Sequence, residues 1–341
     1  MKIGVFLFAT DASADPAAVA RKAEELGFAS FWVPEHPVIP LQTSSPYPGS
    51  RDGIIPDAYG RIMDPFVALA RASAVTKTIQ LGTGICLIPE RNPLLLAKAV
   101  ATLDRLSGGR FLFGIGAGWL KEETEIMGGD FAHRWTQTKD AVMAMKALWT
   151  QDEAEYHGKY YNFPKVRCLP KPLQKPHPPI FMGGSSKNVF KRVVEWGDGW
   201  MPVRAKAEEI KEGRAVLTEL AKKAGRDPQS IEVLAFGFPG RFRTREELDN
   251  LRQAGVSHVT IWINTDGDGV LAELEELART ALQRTYRPRL DRRCDRRYLH
   301  YLAAAFTVTT STVGAAARSL SNDKSKVTTV SFTTNVSSPK K

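Results

Sequence analysis

Two residues capable of acid–base chemistry stand side by side where an apolar segment ends. The segment FWVPEHPVIP, residues 31–40, runs from three apolar residues into Pro34, Glu35, His36 and Pro37. A histidine can donate or accept a proton near neutral pH, and a neighbouring carboxylate favours its protonated form. Glu35 and His36 are therefore a candidate catalytic pair. A proline-stiffened loop that carries two solvated side chains is the alternative interpretation.

Glycines follow the apolar runs of two later segments, TGICLIPERNP (83–93) and GIGAGW (114–119). A glycine lets the backbone approach a flat ligand closely, which makes Gly84, Gly116 and Gly118 candidates for such a contact. The second segment has GxGxG spacing rather than the GxGxxG of dinucleotide-binding folds, and no GK[ST] follows it. Packing of the protein core accounts for these glycines equally well.

A third segment, GGSSKNVFKR (183–192), places two glycines and two serines just before a predicted helix. Free backbone N–H groups, hydroxyls and the positive end of the helix dipole meet at such a point, which suits a phosphate. The candidate anion-binding residues are Gly183, Gly184, Ser185 and Ser186. Alternatively, Ser185 or Ser186 only caps the helix.

These segments follow apolar runs in a regular alternation of strand-like and helical patterns. Near-continuous apolar strands indicate burial on both faces, as in a parallel sheet. Eight such units in about 280 residues favour an α/β fold of the closed (β/α)8 TIM barrel type over a doubly wound open sheet. The predicted strands are 2–8, 30–33, 78–85, 110–118, 178–184, 198–203, 230–238 and 258–263. The predicted helices are 16–28, 64–76, 92–109, 136–150, 185–197, 207–225, 244–255 and 269–282.

Two insertions interrupt this alternation. Residues 37–60, rich in Pro, Gly and Ser, follow the second strand, which places them at the C-terminal face of a barrel, where active sites are built. Residues 151–177 precede the fifth strand and are expected to form a small hairpin followed by an extended, proline-rich cover. We expect both insertions to help define the substrate.

The net charge of +10 is concentrated at one end of the chain. Residues 285–341 hold eleven Lys and Arg against three Asp and Glu, a net of +8, which leaves +2 for residues 1–284. A nearly neutral body argues against nucleic-acid binding by the barrel. We therefore expect a barrel domain at 1–283 and a basic, Ser/Thr-rich tail at 284–341 that is disordered or weakly ordered.

The sequence argues against several classes of protein. No apolar run reaches the ~20 residues that cross a bilayer, and MKIGVFLF is a better match to a buried first strand than to a signal peptide. Three distant cysteines without a CxxC motif favour a reducing cytoplasm over a disulfide or zinc framework. No His, Asp and Glu set has metal-ligand spacing, so no metal site is expected, and no GxSxG motif indicates a hydrolase.

Three segments together resemble the bacterial luciferase-like monooxygenase superfamily, and most closely its coenzyme F420-dependent branch. They are AEELGFASFWVPEHPVIP, IQLGTGICLIPERNPLLLAKAVATLDRLSGGRFLFGIGAGW and PPIFMGGSSKNVFKRVVEWGDGW. The resemblance extends over about residues 1–282 and implies a barrel that binds a flavin or deazaflavin. One departure concerns Trp119, where some F420-dependent dehydrogenases of the family have a glutamate. It puts a sugar-phosphate dehydrogenase activity in doubt.

The resemblance implies a role for each candidate residue. His36, with Glu35, would lie near the reactive ring carbon of the cofactor and donate a proton or orient the substrate. A bulge behind the ring would contain a cis peptide bond between Gly84 and Ile85. The residues implied to contact the cofactor are Thr83, Gly84 and Ile85 behind the ring, Gly116 and Gly118 along its edge or the ribityl chain, and Gly183, Gly184, Ser185 and Ser186 at the phosphate.

The resulting hypothesis is an F420-dependent oxidoreductase that transfers a hydride to or from a small organic substrate. A monooxygenase that uses reduced FMN is the alternative within the superfamily, and a non-catalytic flavin- or deazaflavin-binding barrel is the alternative from another class. Cations beside the predicted phosphate site, at Lys187, Lys191 and Arg192, mildly favour F420 because its oligoglutamate tail is acidic. The resemblance also makes a homodimer possible. An aldolase or isomerase barrel would need a Schiff-base lysine, for which the strand ends offer no candidate.

Overall fold

The structure, a computed structural model, describes residues 1–263, 267 and 269–282; the predicted tail at 284–341 lies outside them. The strands are β1 Lys2–Phe6, β2 Ser30–Val33, β3 Gln80–Thr83, β4 Cys86–Leu87, β5 Phe111–Gly116, β6 Ala154–His157, β7 Asn162–Val166, β8 Ile180–Gly183, β9 Gly199–Met201, β10 Glu232–Phe236 and β11 His258–Trp262. The α-helices are α1 Pro16–Leu26, α2 Pro65–Ala74, α3 Pro93–Leu106, α4 Lys121–Ile126, α5 Arg134–Thr150, α6 Lys187–Trp196, α7 Ala207–Lys223, α8 Arg245–Gln253 and α9 Gly269–Ala281. Short 3-10 helices lie at Asp57–Arg61, Ile88–Glu90 and Pro228–Ser230.

Eight of these strands form a closed, parallel barrel. From β1 the ring passes through β2, β3, β5, β8, β9, β10 and β11, and β11 pairs again with β1. The short strand β4 pairs with the end of β5 at the rim. The predicted (β/α)8 barrel is confirmed, and the doubly wound sheet is excluded because its two edge strands would not pair.

The first strand shows why the barrel strands are largely apolar. Ile3 and Val5 belong to the core between the strands and the helices, whereas Phe6 points into the barrel and packs with Trp32 and Phe236. Successive residues of a strand face opposite sides, and here both sides are buried. Each such side chain contributes roughly 1.5–3 kcal/mol through burial.

The helices begin where the sequence places capping residues. Asp15 accepts the Ala17 N–H at 3.0 Å at the start of α1, and Asn92 accepts two N–H groups at the start of α3. Gly27 ends α1 with φ 91°, in the left-handed region that favours glycine. The sequence analysis did not predict α4, a six-residue helix that follows β5 and includes three glutamates.

The second insertion forms the predicted hairpin from β6 and β7. Its proline-rich continuation packs on α3 and on the first residue of β5. The Leu173 N–H donates to Asp104 at 2.7 Å, and the Gln174 amide donates to the Phe111 carbonyl at 2.7 Å. This continuation lies at the end of the barrel opposite to the carboxyl ends of the strands, whereas the hairpin packs beside the start of α5, where the Gln137 amide donates to the Tyr161 hydroxyl at 3.0 Å. A role of residues 151–177 in defining the substrate stays a prediction.

Within the described ranges, no helix is both long and apolar enough to span a membrane. The same residues bring together no group of three or more His, Cys, Asp or Glu side chains that could hold a metal ion. Two of the three cysteines are described, Cys86 and Cys168, and both are free thiols.

Candidate functional site

A cavity of ≈ 410 Å³ opens at the end of the barrel where the strands finish. Its volume lies in the range of small-molecule sites, and active sites of (β/α)8 barrels occupy this end. The walls are made by residues at or just after the strand ends and by the loop 37–60. Of the residues predicted from the sequence, those that line the cavity are Glu35, His36, Gly84, Ile85, Gly116, Gly118, Gly183 and Gly184.

His36 lines the cavity, and a carboxylate from another part of the chain holds its ring. Nδ1 lies 2.6 Å from Oε2 of Glu123, and the two side chains are 8% and 1% exposed. The second oxygen of Glu123 accepts the Val38 N–H at 3.4 Å. The ring meets Trp119 and Tyr59 edge-on, with centroids 5.8 and 5.2 Å away. Because Nδ1 is engaged, Nε2 is the ring nitrogen available to a molecule in the cavity.

Glu35 is not the partner of His36 that their adjacency suggested. Its carboxylate accepts the Leu87 N–H at 2.7 Å and the Arg91 Nε–H at 2.5 Å, and Arg91 also donates to Asp64 at 2.6 Å. Burial raises the pKa of the Glu35 carboxyl, and the contacts with Arg91 and the Leu87 N–H oppose that rise. Glu35 borders the cavity, but both of its oxygens are taken, so its carboxylate holds the loops after β2 and β3 together.

Ile85 lies over two glycines, where any larger residue would collide with it. A Cβ on Gly116 would lie 2.0 Å from the Ile85 Cδ1, and a Cβ on Gly183 would lie 3.2 Å from the same atom. A Cβ on Gly84 would lie 2.7 Å from the Phe236 ring. The peptide bond between Gly84 and Ile85 is cis, as the resemblance implied. The three glycines and Ile85 therefore give the cavity a closely packed wall made largely of backbone.

Thr83, which the resemblance places behind the ring of a cofactor, does not itself line the cavity. Its side chain is fully buried, and its hydroxyl donates to the Gly114 carbonyl at 2.7 Å. The hydroxyl points to the neighbouring strand because side chains alternate along β3 and Gly84, the next residue, faces the cavity. Thr83 thus supports the wall from behind.

The start of α6 presents unused donors at the edge of the cavity. Gly183 and Gly184 line the cavity, whereas Ser185 and Ser186 are exposed beyond its rim. Ser186 occupies the N-cap position, but no side-chain hydrogen bond caps the helix. The capping explanation for these serines therefore does not hold, and their hydroxyls and the first N–H groups of α6 are open to an anion.

Two arginines stand beside this edge. The Arg192 guanidinium lies 4.2 Å from the ring centroid of Trp135, which lines the cavity. Arg134 precedes that tryptophan, stacks on Phe131 at 4.1 Å, and has a buried Nε without a hydrogen-bond partner among the described residues. Burial lowers the pKa of Arg192, and the charge of Arg134 lowers it further. The neighbouring positive charges of Arg134 and Arg192 favour an anion at this edge.

A second buried carboxyl lies behind the glutamate that holds His36. Glu90 is 2% exposed; its Oε1 accepts the Thr124 hydroxyl at 2.9 Å, and its Oε2 has no partner among the described residues. A Cβ on Gly118 would lie only 3.0 Å from that Oε1. Burial and the charge of Glu123 raise the pKa of Glu90 to about 8. Glu90 therefore keeps its proton at neutral pH while Glu123 stays paired with His36.

We expect Glu90→Gln to stabilise the protein by about 2–4 kcal/mol above pH ~8 and by little below pH ~4. The unfolded chain releases this proton near pH 4.5 and the folded chain near 8. The folded state therefore binds more protons between those values, so wild-type stability falls as pH rises, and glutamine removes that loss. Urea unfolding of both proteins across this range measures the effect.

Glu122→Gln is the matched control, because contacts with Ser44 hold the pKa of the exposed Glu122 at about 2. The stability difference between this variant and the wild type is expected to stay constant from pH ~5 to ~9. A gain for Glu90→Gln that does not change with pH would show that Glu90 is not a buried, protonated acid.

Glu123, Glu90 and Arg134 were not anticipated from the sequence. Glu123 and Glu90 lie in the stretches KEET and PERN, whose charged residues are typical of solvated surface. Arg134 precedes a helix and resembles any surface arginine. The two glutamates could have been found from their position in the sequence, because Glu90 lies within the segment 83–93 and Glu123 follows the segment 114–119.

Comparisons with a family model and with individual relatives agree on one family. A family model described as luciferase-like monooxygenase matches residues 1–317, which includes part of the predicted tail. An uncharacterized protein of Mycobacterium tuberculosis is 38% identical over 284 residues, 82% of this chain and 98% of that protein.

Two further relatives are enzymes named for their activity. The F420-dependent hydroxymycolic acid dehydrogenase of Mycobacterium tuberculosis is 28% identical over 217 residues, 62% of this chain and 55% of that protein. The FMNH2-dependent dimethylsulfone monooxygenase of Pseudomonas putida is 32% identical over 175 residues, 41% of this chain and 48% of that protein.

Solved structures share the fold at low sequence identity. A monooxygenase of Streptomyces bottropensis has a TM-score of 0.66 at 21% identity, with 83% of this chain and 99% of that chain covered. An F420-dependent secondary alcohol dehydrogenase in complex with an F420-acetone adduct has a TM-score of 0.65 at 21% identity, with 82% and 97% covered.

Proposed function

Because the chain belongs to the luciferase-like monooxygenase family, we propose that it is a coenzyme F420-dependent oxidoreductase that transfers a hydride between the deazaflavin and an organic substrate. The observation that carries the proposal is the cavity itself. One of its walls is made of glycines packed against the Ile85 side chain, a buried His36–Glu123 pair lines the cavity, and cations stand at one edge.

The residues present suit a flat ring with an anionic tail. The wall of Gly84, Ile85 and Gly116 offers a surface without large side chains, because a Cβ on either glycine would collide with Phe236 or Ile85. The ring would lie there, and the phosphate would meet the Ser186 hydroxyl and the first N–H groups of α6. When bound, the deazaflavin supplies the group that accepts or donates the hydride.

The chain's own contribution is positioning and proton control. Glu123 fixes the tautomer and orientation of His36 by accepting from Nδ1, which leaves Nε2 to hold or deliver a proton at the substrate. Trp119 and Tyr59 pack against that ring and would limit the access of water to it. Glu35 and Arg91 fix the loop that carries His36 without touching the reaction.

The cations favour F420 over FMN. Both cofactors have a phosphate, for which Arg134 and Arg192 suffice, whereas F420 carries additional carboxylates. Lys187 and Lys191 are exposed at the start of α6, and no carboxylate among the described residues lies within ion-pair distance of either. These lysines can pair with the acidic tail of F420.

A monooxygenase that uses reduced FMN is the second candidate, supported by the 32% identity with the dimethylsulfone enzyme. The same wall and the same phosphate donors would hold its ring. In that case His36 would act on an oxygen-derived group rather than on an alcohol or carbonyl.

We expect Gly116→Ala to weaken cofactor binding at least about tenfold and to cost about 1–3 kcal/mol of stability. The new methyl group meets Ile85, and Gly183 limits movement on the other side, so the isoleucine side chain moves into the space assigned to the ring. Titration of F420 and FMN into the variant, followed by ligand fluorescence, measures the loss.

Gly269→Ala is the matched control, because a Cβ there meets nothing within 4 Å and Gly269 does not line the cavity. Its cofactor affinity is expected to equal that of the wild type. Wild-type affinity in Gly116→Ala would place the ring somewhere other than on this wall.

A further inference from the structure

Outside the glycine wall, much of the cavity is lined by aromatic side chains. Phe8 lies 5.0 Å from Tyr59 and stacks on Trp262 with centroids 5.4 Å apart, and Phe238 lies 5.7 Å from Trp262. The hydroxyls of Tyr47 and Tyr59 bond to each other at 2.8 Å and so offer little free polarity. Such a surface favours a flat, apolar molecule.

One guanidinium stands at the rim of this aromatic surface. Arg204 follows β9, and its guanidinium carbon lies 3.9 Å from the centroid of Phe238. One of its nitrogens donates to the Pro48 carbonyl. No carboxylate among the described residues lies within ion-pair distance, so most of its five N–H donors are free for a ligand.

The backbone of Arg204 is in an unfavourable conformation. Its φ is 63°, in the left-handed region that non-glycine residues rarely adopt. Such conformations persist where the surroundings enforce them, and they cluster at ligand-binding sites. The conformation directs this side chain over Phe238, which lines the cavity.

The rest of the cavity does not neutralise this charge. Among the described lining residues, Arg204 carries the one guanidinium or ammonium group, and Glu35 the one carboxylate. That carboxylate is bound to Arg91. The contacts of Arg204 are Pro48 and Phe238, whereas Arg192 contacts Trp135. The aromatic side of the cavity therefore has an unbalanced positive charge.

We propose that the substrate is a flat, apolar organic acid whose body lies among the aromatic side chains and whose carboxylate pairs with Arg204. Tyr59 touches His36, and its hydroxyl reaches Tyr47, which precedes Pro48. A molecule that lies against Tyr59, Phe8 and Trp262 would have its reacting group at His36 and its anion at Arg204. This inference rests on the proposed function, which assigns the glycine wall to the cofactor.

The test compares 2-naphthoate with 2-naphthamide, which has the same rings and no charge at neutral pH. Binding of each probe to the full chain is measured by calorimetry, with and without a saturating cofactor. We expect the wild type to prefer naphthoate about ten- to hundredfold, the difference that a charge-assisted hydrogen bond supplies. In Arg204→Gln the preference is expected to fall to within about threefold.

Arg241→Gln is the control, because Arg241 also stacks on a phenylalanine but does not line the cavity. It should keep the wild-type preference. A preference that survives in Arg204→Gln, equal binding of the two probes, or binding of neither would overturn the proposal.

The affinity for the cofactors separates this proposal from the proposed function. Arg204→Gln should bind F420 and FMN as the wild type does, and a loss above tenfold would assign Arg204 to the cofactor instead. If neither cofactor binds the wild type while the Arg204-dependent preference for naphthoate persists, the proposed function fails and the anion site stands.

Discussion

Replacing His36 with alanine lowers the rate of hydride transfer by about 10²–10⁴ and leaves the affinity for F420 within about threefold of the wild type. The rate is measured with any substrate that the wild type turns over, and the affinity by fluorescence titration. His36 is the one histidine among the described residues that line the cavity, and an imidazole can hold or deliver a proton near neutral pH. Its Nδ1 lies 2.6 Å from Oε2 of Glu123, which leaves Nε2 free. The wall assigned to the cofactor consists of Gly84, Ile85, Gly116 and Gly183, so its shape does not depend on the His36 side chain.

His133→Ala is the matched control, since Nδ1 of His133 lies 2.9 Å from an oxygen of Asp130 in a pair of the same kind outside the cavity. Its rate should equal that of the wild type. Glu123→Gln keeps the shape of the side chain and removes its charge, so a smaller loss in the same direction is expected. An unchanged rate in His36→Ala would remove this residue from the mechanism.

Replacing Glu35 with leucine lowers the free energy of unfolding by about 3–5 kcal/mol, because it leaves the Arg91 guanidinium and the Leu87 N–H without their buried acceptor. The double variant Glu35→Leu, Arg91→Met also removes the guanidinium, which has then lost its buried partner and keeps only the half-exposed Asp64, and apolar replacement of a buried pair is often close to neutral. Urea unfolding should therefore show a large loss in the single variant and recovery of most of it in the double variant.

The result would also decide what Glu35 does. If the Glu35→Leu variant keeps its unfolding midpoint but loses cofactor binding or turnover, Glu35 is a catalytic residue, as its position beside His36 first suggested. A loss of stability that the second substitution does not recover would show that the ion pair with Arg91 is not its cause.

The barrel could be predicted because its signals are local. The run IGVF, residues 3–6, is free of polar side chains and buried on both faces, and Asp15, Asn92 and Gly27 mark helix ends through contacts within one turn. The glycines of the cavity wall were equally visible. Their packing partners, Ile85 and Phe236, follow from the closure of the barrel.

The partners of the two central side chains could not be predicted in the same way. Glu35 and His36 are adjacent in the chain, but neighbouring residues of an extended segment point to opposite sides. One therefore meets Arg91, 56 residues away, and the other meets Glu123, 87 residues away. Glu123 lies in a helix too short to show a periodic pattern, so only the folded chain reveals the pair.

The most direct test of the account is a side-by-side titration of the purified protein with F420 and with FMN, followed by ligand fluorescence at low and at high salt. We predict that F420 binds at least about tenfold more tightly than FMN at low salt, and that the difference shrinks as salt screens Lys187 and Lys191 from the acidic tail. Tighter binding of FMN would identify a flavin enzyme instead. Binding of neither would contradict the assignment of the glycine wall, the α6 edge and His36 to a cofactor-dependent reaction.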